Sequence, residues 1–333
     1  MKTMLNAAAA LVLTVAGMSG AAFAQEVTLR ASGSFQPGHS SSLAMERFRD
    51  AVAEKTNGEV RVDLFPSNQL GGAEQQVDQV RRGSIFMSWS GPSFWTRVVP
   101  ELEALGLPFV LPDPEKAFQV VDGPIGDILA EKFEERGVTV LGWGDLGARH
   151  VSNSRRALTS IEDFNGLKIR MQPNEVHLRT FRALGASPAP LDIAELFSAL
   201  QQRVMDGQEN PYSIILTNRF EEVQGHLSDT GHFYDYVVYL ANKDLFEKLK
   251  PEHQEAIRSA MAEAITWQRA YNGEANAKAL EELQAKGVTF TPVSDEFRDA
   301  MRERTREIVE ETRQRLGTDF VDQVLREAGV ATN

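Results

Sequence analysis

The chain predicts an α/β fold of two lobes tied together by one long helix, and three features of its pattern predict it. Strand-like and amphipathic helical runs alternate from Val27 onward, the signature of βα units and a parallel sheet. The pattern changes to short strands over 149–153 and 167–171, as a second lobe inserted into the first would require. Finally, a helical stretch of ~36 residues, interrupted only by Gly273, runs from Pro251 to about Lys286 and at ~1.5 Å per residue would span ~54 Å. That exceeds one small domain, so the helix is expected to cross both lobes.

Each element has a local cause. Residues 27–32 alternate as a strand, and Gly33-Ser-Phe-Gln-Pro-Gly-His39 is a loop entering a helix capped by the serines at 40–42. That helix carries Leu43, Met45, Phe48 and Val52 until Thr56-Asn-Gly58 stops it. A strand over 59–66 follows, then a helix over 73–82, a buried strand over 85–89 and a proline-punctuated helix and loop region through Pro114. A strand over 138–143 continues the alternation. The two short strands are joined by a turn-rich segment over 160–166, and helices over 175–184 and 193–204 lead to a strand over 231–241 that crosses back. A strand at 288–290 and an amphipathic helix over 295–316 complete the fold. The first lobe is drawn as residues 25–146 with 237–262, and the second as 147–236 with 263–333, including the lobe-spanning C-terminal helices.

Lys2 is the only charge before an apolar, alanine-rich run through Val15, and Ala22-Phe-Ala24 supplies the small residues of a cleavage site. Residues 1–24 are therefore expected to be a secretory signal peptide, with an exported product beginning near Gln25. No other stretch reaches the ~18 uninterrupted apolar residues of a membrane helix. The 333 residues include no cysteine, which excludes disulfides and thiolate chemistry. The formal charge of −12 becomes −13 when Lys2 leaves with the leader, a balance that argues against nucleic acid and anionic membrane as partners. An anion site in such a chain must concentrate positive charge locally.

Gly142-Trp-Gly-Asp-Leu-Gly147 has the spacing of a dinucleotide fingerprint. A helix must begin at those glycines, and the sequel Ala-Arg-His-Val-Ser-Asn is extended and polar, so the segment reads as a crossover between lobes. No nucleophile elbow, phosphate-binding loop or zinc-binding helix motif occurs in the mature chain, and the six histidines show no metal spacing. Neither cofactor nor metal is expected. The arginines carry more. Leu167-Lys-Ile-Arg170 reads as an apolar strand delivering Arg170 to a proline-containing loop, while Met205-Asp-Gly-Gln-Glu-Asn210 ends a helix, turns at Gly207 and presents Asn210 before Pro211. Arg149 begins the other short strand, from which neighbouring strands could aim both guanidinium groups into one space. An arginine fork and a carboxamide are what a cleft needs to hold a small carboxylate. The competing reading pairs each arginine with an internal carboxylate such as Asp192 or Glu195.

Glu54-Lys-Thr-Asn-Gly58, Phe65-Pro-Ser-Asn-Gln-Leu-Gly-Gly72, Gly166-Leu-Lys-Ile-Arg170, Leu184-Gly-Ala-Ser-Pro188 and Asp206-Gly-Gln-Glu-Asn-Pro211 follow one another in order. Through these fragments the mature chain, essentially end to end, resembles the substrate-binding proteins of tripartite ATP-independent periplasmic (TRAP) transporters, of the dicarboxylate-receptor type. The resemblance implies a two-lobed periplasmic binding protein fold with a long helix spanning both lobes, a monomer that encloses a solute and is not an enzyme. It also implies Arg170 as the bidentate carboxylate clamp, Arg149 as a second cationic contact and Asn210 as an anchor to the same group.

Ser34 and His39 fall on a loop that lines the cleft in relatives, and Asn174, four residues after Arg170, is the best further polar candidate. Glu74 either accepts hydrogen bonds from solute hydroxyls or offsets a helix dipole. Trp89 either stacks on a sugar face or fills the core. Tyr234 and Tyr236 share one strand face, from which either would close the pocket. The stretch Ser88-Trp-Ser-Gly-Pro-Ser-Phe94 lacks the acidic residue and arginine of the family's sialic-acid binders, which argues against sialic acid. Expected solutes are sugar acids such as uronates, C4-dicarboxylates, and 2-hydroxy or 2-oxo monocarboxylates, delivered to an integral-membrane permease. A ligand sensor for a signalling receptor and an exported enzyme stay open as alternatives.

Overall fold

A computed structural model describes residues 27–331; the expected signal peptide and its cleavage site lie outside them. The strands are β1 (Val27–Gly33), β2 (Val60–Phe65), β3 (Met87–Ser90), β4 (Val138–Asn153), β5 (Lys168–Met171), β6 (Ser187–Pro190), β7 (Gly207–Asn210), β8 (His226–Asn242) and β9 (Thr289–Thr291). They form one sheet in the order β2-β1-β3-β8-β4-β7-β5-β6, with β9 beside β8. Parallel wings flank an antiparallel centre. β1 pairs in parallel with β2 and β3, β5 does so with β6 and β7, and β3, β8, β4 and β7 alternate in direction. The expected parallel sheet therefore holds only in the wings. Connectivity is the cause: the chain leaves the first lobe along β4 and returns along β8, so the two crossing strands must run oppositely.

The strands expected over 138–143 and 149–153 are one strand. β4 continues through 142–147 with register shifts at Val140/Gly142, Asp145/Gly147 and Arg149/Val151. Gly142 and Gly147 take φ of 149° and 99°, backbone that glycine adopts without a Cβ clash. The glycines of the nucleotide-like spacing are thus bulge residues in a strand that passes between lobes. The boundaries drawn at 146/147 and 236/237 fall inside β4 and β8.

The long helix is Pro251–Ala285, 35 residues and about 52 Å. At its start Lys250 and His253 bind Glu59 at 2.7 and 3.2 Å; just past its end Lys286 binds Glu221 at 2.6 Å. Midway, Gln268 closes the β4 bulge. Its Oε1 accepts from the Asp145 amide at 2.7 Å, while Nε2 donates to the Asp145 carbonyl at 2.6 Å and to Ser40 Oγ at 3.0 Å. Met45, Phe48, Val52, Ile257 and Met261 fill the core on that side of the sheet.

The opposite side holds Trp95, Leu129, Phe133, Val238 and Leu240. Helices Pro114–Val121 and Pro124–Glu134, which the sequence pattern does not separate, each begin at a proline whose fixed φ suits a first turn. The helix Asp295–Leu316 has its expected span, capped by Ser294 accepting from the Phe297 amide. It lies against the helix Glu175–Ala183 through Arg179 and Glu311 at 2.7 Å. A last helix, Thr318–Glu327, returns Val321, Val324 and Leu325 to the first lobe's core.

Replacing Gln268 with leucine would strand both backbone groups of Asp145 in the interior. Urea unfolding should then show a loss of about 2–4 kcal/mol; an unchanged midpoint would remove this clamp from the account of how helix and crossing strand are joined.

Candidate functional site

β7 lies between the two arginine-bearing strands. Arg170 on β5 registers with Gln208 on β7, and on the other side His150 and Val151 of β4 register with Asn210 and Glu209. Two expectations change here. Residues 207–210 form a strand, not a turn after a helix, and Arg149 and Arg170 are not on neighbouring strands. The strand between them places Glu209 beside Arg149.

Arg149 is fully buried, and its donors are consumed inside the protein. Nε bonds Glu209 Oε2, Nη2 bonds Glu209 Oε1 at 2.7 Å, and Nη1 bonds Asp235 Oδ2 at 2.6 Å. Nη2 also meets the Glu209 carbonyl at 2.5 Å and Asn210 Oδ1 at 3.1 Å. Burial opposes this charge, but the two carboxylates outweigh it and raise the guanidinium pKa. Burial likewise opposes the charge of Glu209, yet Arg149 and His232 hold its pKa well below the usual carboxylate range. Arg149 pairs internally, with Glu209 and Asp235 in place of the Asp192 or Glu195 weighed from the sequence, and any contact it makes to a solute is added to these bonds. Asn210 belongs to the same network, its Oδ1 facing Arg149 and its Nδ2 donating to Gln208 Oε1.

Arg170 is equally buried and differently served. Its Nε donates to the Leu191 carbonyl at 2.7 Å, it makes no ion pair among the described residues, and Nη1 is buried with no partner. Burial, opposed by Glu209 and reinforced by Arg149, lowers its pKa to about 10, so it stays cationic at neutral pH. Ser34 Oγ, Trp89 Nε1 and Gln172 Oε1 are also buried without partners. Ser34 and Trp89 lie at the ends of β1 and β3 in the first lobe, whereas Arg170 and Gln172 lie at the end of β5 in the second. Unpartnered polar groups at strand ends of both lobes are what a site for a small anion with several hydrogen-bonding groups requires.

The lobes touch around this site. Asn174 caps the helix Glu175–Ala183 and donates through Nδ2 to Ser93 Oγ at 3.3 Å. Asp192 caps its own helix through the Ala194 amide and also accepts from the Ala73 amide, both at 2.9 Å, so one carboxylate joins helix N-termini of both lobes. Gln36 Nε2 reaches Asn218 Oδ1 at 3.2 Å, and His39 Nε2 reaches Ser213 Oγ at 3.4 Å.

The remaining candidates separate by position. His39 caps the helix Ser40–Lys55, with both ring nitrogens engaged. Trp89 fills the core with its Nε1 unpaired; a Cβ on Gly33 would sit 2.0 Å from its ring, so the indole packs against β1. Glu74 is exposed at a cavity of about 530 Å³ at the cleft mouth, with Phe94, Pro173, Leu191 and Asp192. Tyr234 and Tyr236 do share a face, but it looks away from the cleft: their hydroxyls bond Asp145 Oδ1 and the Ala117 carbonyl at 2.6 and 2.8 Å. Asp235, between them, faces the site. Sequence reasoning missed Glu209, Asp235 and Gln172, although Gln172 lies two residues beyond Arg170.

Two lobes, a helix binding them and a buried arginine with no ion pair among the described residues are the features of a receptor for a small anionic solute. The model of the bacterial extracellular solute-binding proteins, family 7, matches residues 31–315. The chain belongs to that family, the solute-binding proteins of TRAP transporters. It is 36% identical over 275 residues to a solute-binding protein of Verminephrobacter eiseniae, covering 83% of this chain and 82% of that one. It is 34% identical over 271 residues to the 2,3-diketo-L-gulonate-binding periplasmic protein of Escherichia coli, covering 81% and 83%. The crystal structure of the sugar acid binding protein of Advenella mimigardefordensis in complex with galactonate matches with a TM-score of 0.90 at 31% identity, over 92% of this chain and 98% of that one.

Three buried imidazoles set the acid response. Burial lowers the pKa of His39 and His177 to about 3 and that of His232 to about 4. Between the unfolded value of about 6.5 and those values only the unfolded chain takes up the protons, so stability falls as pH drops through that window. His177 stacks on Phe233 at 4.0 Å and has no partner at either nitrogen. The loss in unfolding free energy between pH 7.5 and pH 5, measured in urea, should be about 2 kcal/mol smaller in His177→Phe.

Proposed function

We propose that this protein is an exported receptor that closes on a sugar acid, grips its carboxylate with Arg170 and delivers it to a TRAP-type membrane permease. The observation that carries this reading is the contrast between the arginines. Arg149 has two carboxylates of its own, and Arg170 has none and keeps a buried terminal donor unpaired. An uncompensated buried guanidinium is costly, and a solute carboxylate offers the matching two-oxygen geometry. The lobes, divided near 146/147 and 236/237, would pivot where β4 and β8 bulge past one another. Relatives support a sugar acid: one is named for 2,3-diketo-L-gulonate and another holds galactonate. The unpartnered neutral groups at strand ends of both lobes, Ser34 Oγ, Trp89 Nε1 and Gln172 Oε1, suit a solute that carries hydroxyls beside its carboxylate.

A thermal-shift screen of residues 25–333 against sugar acids, C4-dicarboxylates and neutral sugars tests the class, since a ligand stabilises the state it binds. Sugar acids should raise the melting temperature most; a response to neutral sugars alone would reject the carboxylate clamp. Calorimetry of Arg170→Lys with the best acid should show a loss of about 2–5 kcal/mol in binding, and unchanged affinity would reassign the clamp.

A further inference from the structure

We infer that Gln172 is a specificity-determining residue: its Oε1 accepts a hydrogen bond from the 2-hydroxyl of an open-chain sugar acid, with Asp235 as the positioning residue that holds the carboxamide in that orientation. The inference rests on Arg170 gripping the carboxylate. Gln172 is 5% exposed, and its two ends differ in circumstance. Nε2 donates to Asp235 Oδ2 at 3.2 Å, while Oε1 is buried with no partner. A carboxamide can turn end for end, but here a turn would set its oxygen against a carboxylate, which only accepts. Asp235 cannot swing aside, because Arg149 Nη1 holds its Oδ2 at 2.6 Å and the Tyr236 amide holds its Oδ1 at 2.9 Å. The amide is thus fixed with its oxygen outward.

Gln172 directly follows Met171, the last residue of β5, and lies two residues beyond Arg170, so both belong to the end of that strand. Across the cleft stands Gly91, where a Cβ would come within 3.2 Å of Nε2 and 3.4 Å of Oε1. The carboxamide therefore lies on the closing surface, facing a residue with no side chain to cover it. A buried acceptor without a donor disfavours the closed form, and a solute with a donor beside its carboxylate removes that penalty. A 2-hydroxyl supplies one, whereas a 2-oxo group or a bare methylene does not. The same amide separates aldonates from 2-oxo acids and from unhydroxylated dicarboxylates.

The test is calorimetry of residues 25–333 with D-galactonate, D-gluconate and D-erythronate, the tightest being carried forward against its 2-deoxy analogue. The wild type should prefer the hydroxylated acid by about tenfold to a hundredfold. In Gln172→Met the preference should shrink below about threefold, with affinity for the 2-deoxy acid nearly unchanged. In Asp235→Asn, whose amide can donate to Oε1 and let the carboxamide turn, Nε2 would meet the solute: the 2-hydroxyl can still accept from it, but the matching 2-oxo acid, disfavoured by the wild type, should now bind within about threefold of the hydroxy acid, whereas a merely structural defect would weaken both equally. Full preference in Gln172→Met, or none in the wild type, overturns the inference. If uronates bind and no aldonate does, this inference falls and the carboxylate reading stands; if no sugar acid of either kind binds, both fall.

Discussion

Arg149, Glu209 and Asp235 sit on β4, β7 and β8, and their mutual hydrogen bonds join the two strands that carry the chain between lobes to the second lobe's β7. Charges removed from water this far persist only when each is paired and its remaining hydrogen-bonding capacity is used. Arg149 meets that condition through two carboxylates. Glu209 and Asp235 are thereby occupied, and among the described residues Arg170 one strand beyond has a backbone carbonyl as its acceptor and no ion pair. Two guanidinium groups of nearly equal burial therefore differ in their partners because of the one strand between them.

Closure follows from the same economy of polar groups. The bonds that cross the cleft, Asn174 to Ser93, Asp192 to the Ala73 amide, Gln36 to Asn218 and His39 to Ser213, are polar and individually modest. Against them stand the unpaired atoms that closure buries, including a cationic donor of Arg170. A closed empty protein therefore gains little and loses several hydrogen bonds to water. A solute that satisfies those atoms makes contacts only the closed form can offer, and that differential is what shifts a two-state equilibrium.

The elements legible in the sequence are those whose pattern has a single cause. The helix Asp295–Leu316 has a serine cap and one apolar face, and the helix Ser40–Lys55 ends at the expected Thr56-Asn-Gly58. The long helix is legible through its uninterrupted length. β7 is not: Gly-Gln-Glu-Asn is polar throughout and reads as a turn, and it becomes a strand only because Arg149 and the flanking strands satisfy it in the interior. The glycines at 142–147 mislead in the opposite direction, since a bulged strand and a loop need the same residue. At the candidate site, the place of Arg170 at the end of a strand is legible in the sequence, but the carboxylate that pairs with Arg149 depends on register, which composition does not encode.

β8 shows where periodicity stops. Its alternation correctly puts Tyr234 and Tyr236 together and Asp235 opposite, but almost every residue of the strand is buried, so neither face announces itself as the one toward solvent. Aromatic side chains favour either a core or a sugar, and only the far neighbours, Asp145 and Ala117, assign these two to the core. An aspartate in the same strand has less freedom: buried, it needs donors, and the available donors are Arg149, Gln172 and the Tyr236 amide. Arg149 thereby governs geometry beyond its own contacts: it fixes Asp235, and Asp235 fixes the amide of Gln172, two residues along the chain from Arg170. A buried ion pair thus orients a carboxamide whose oxygen has no partner in the protein.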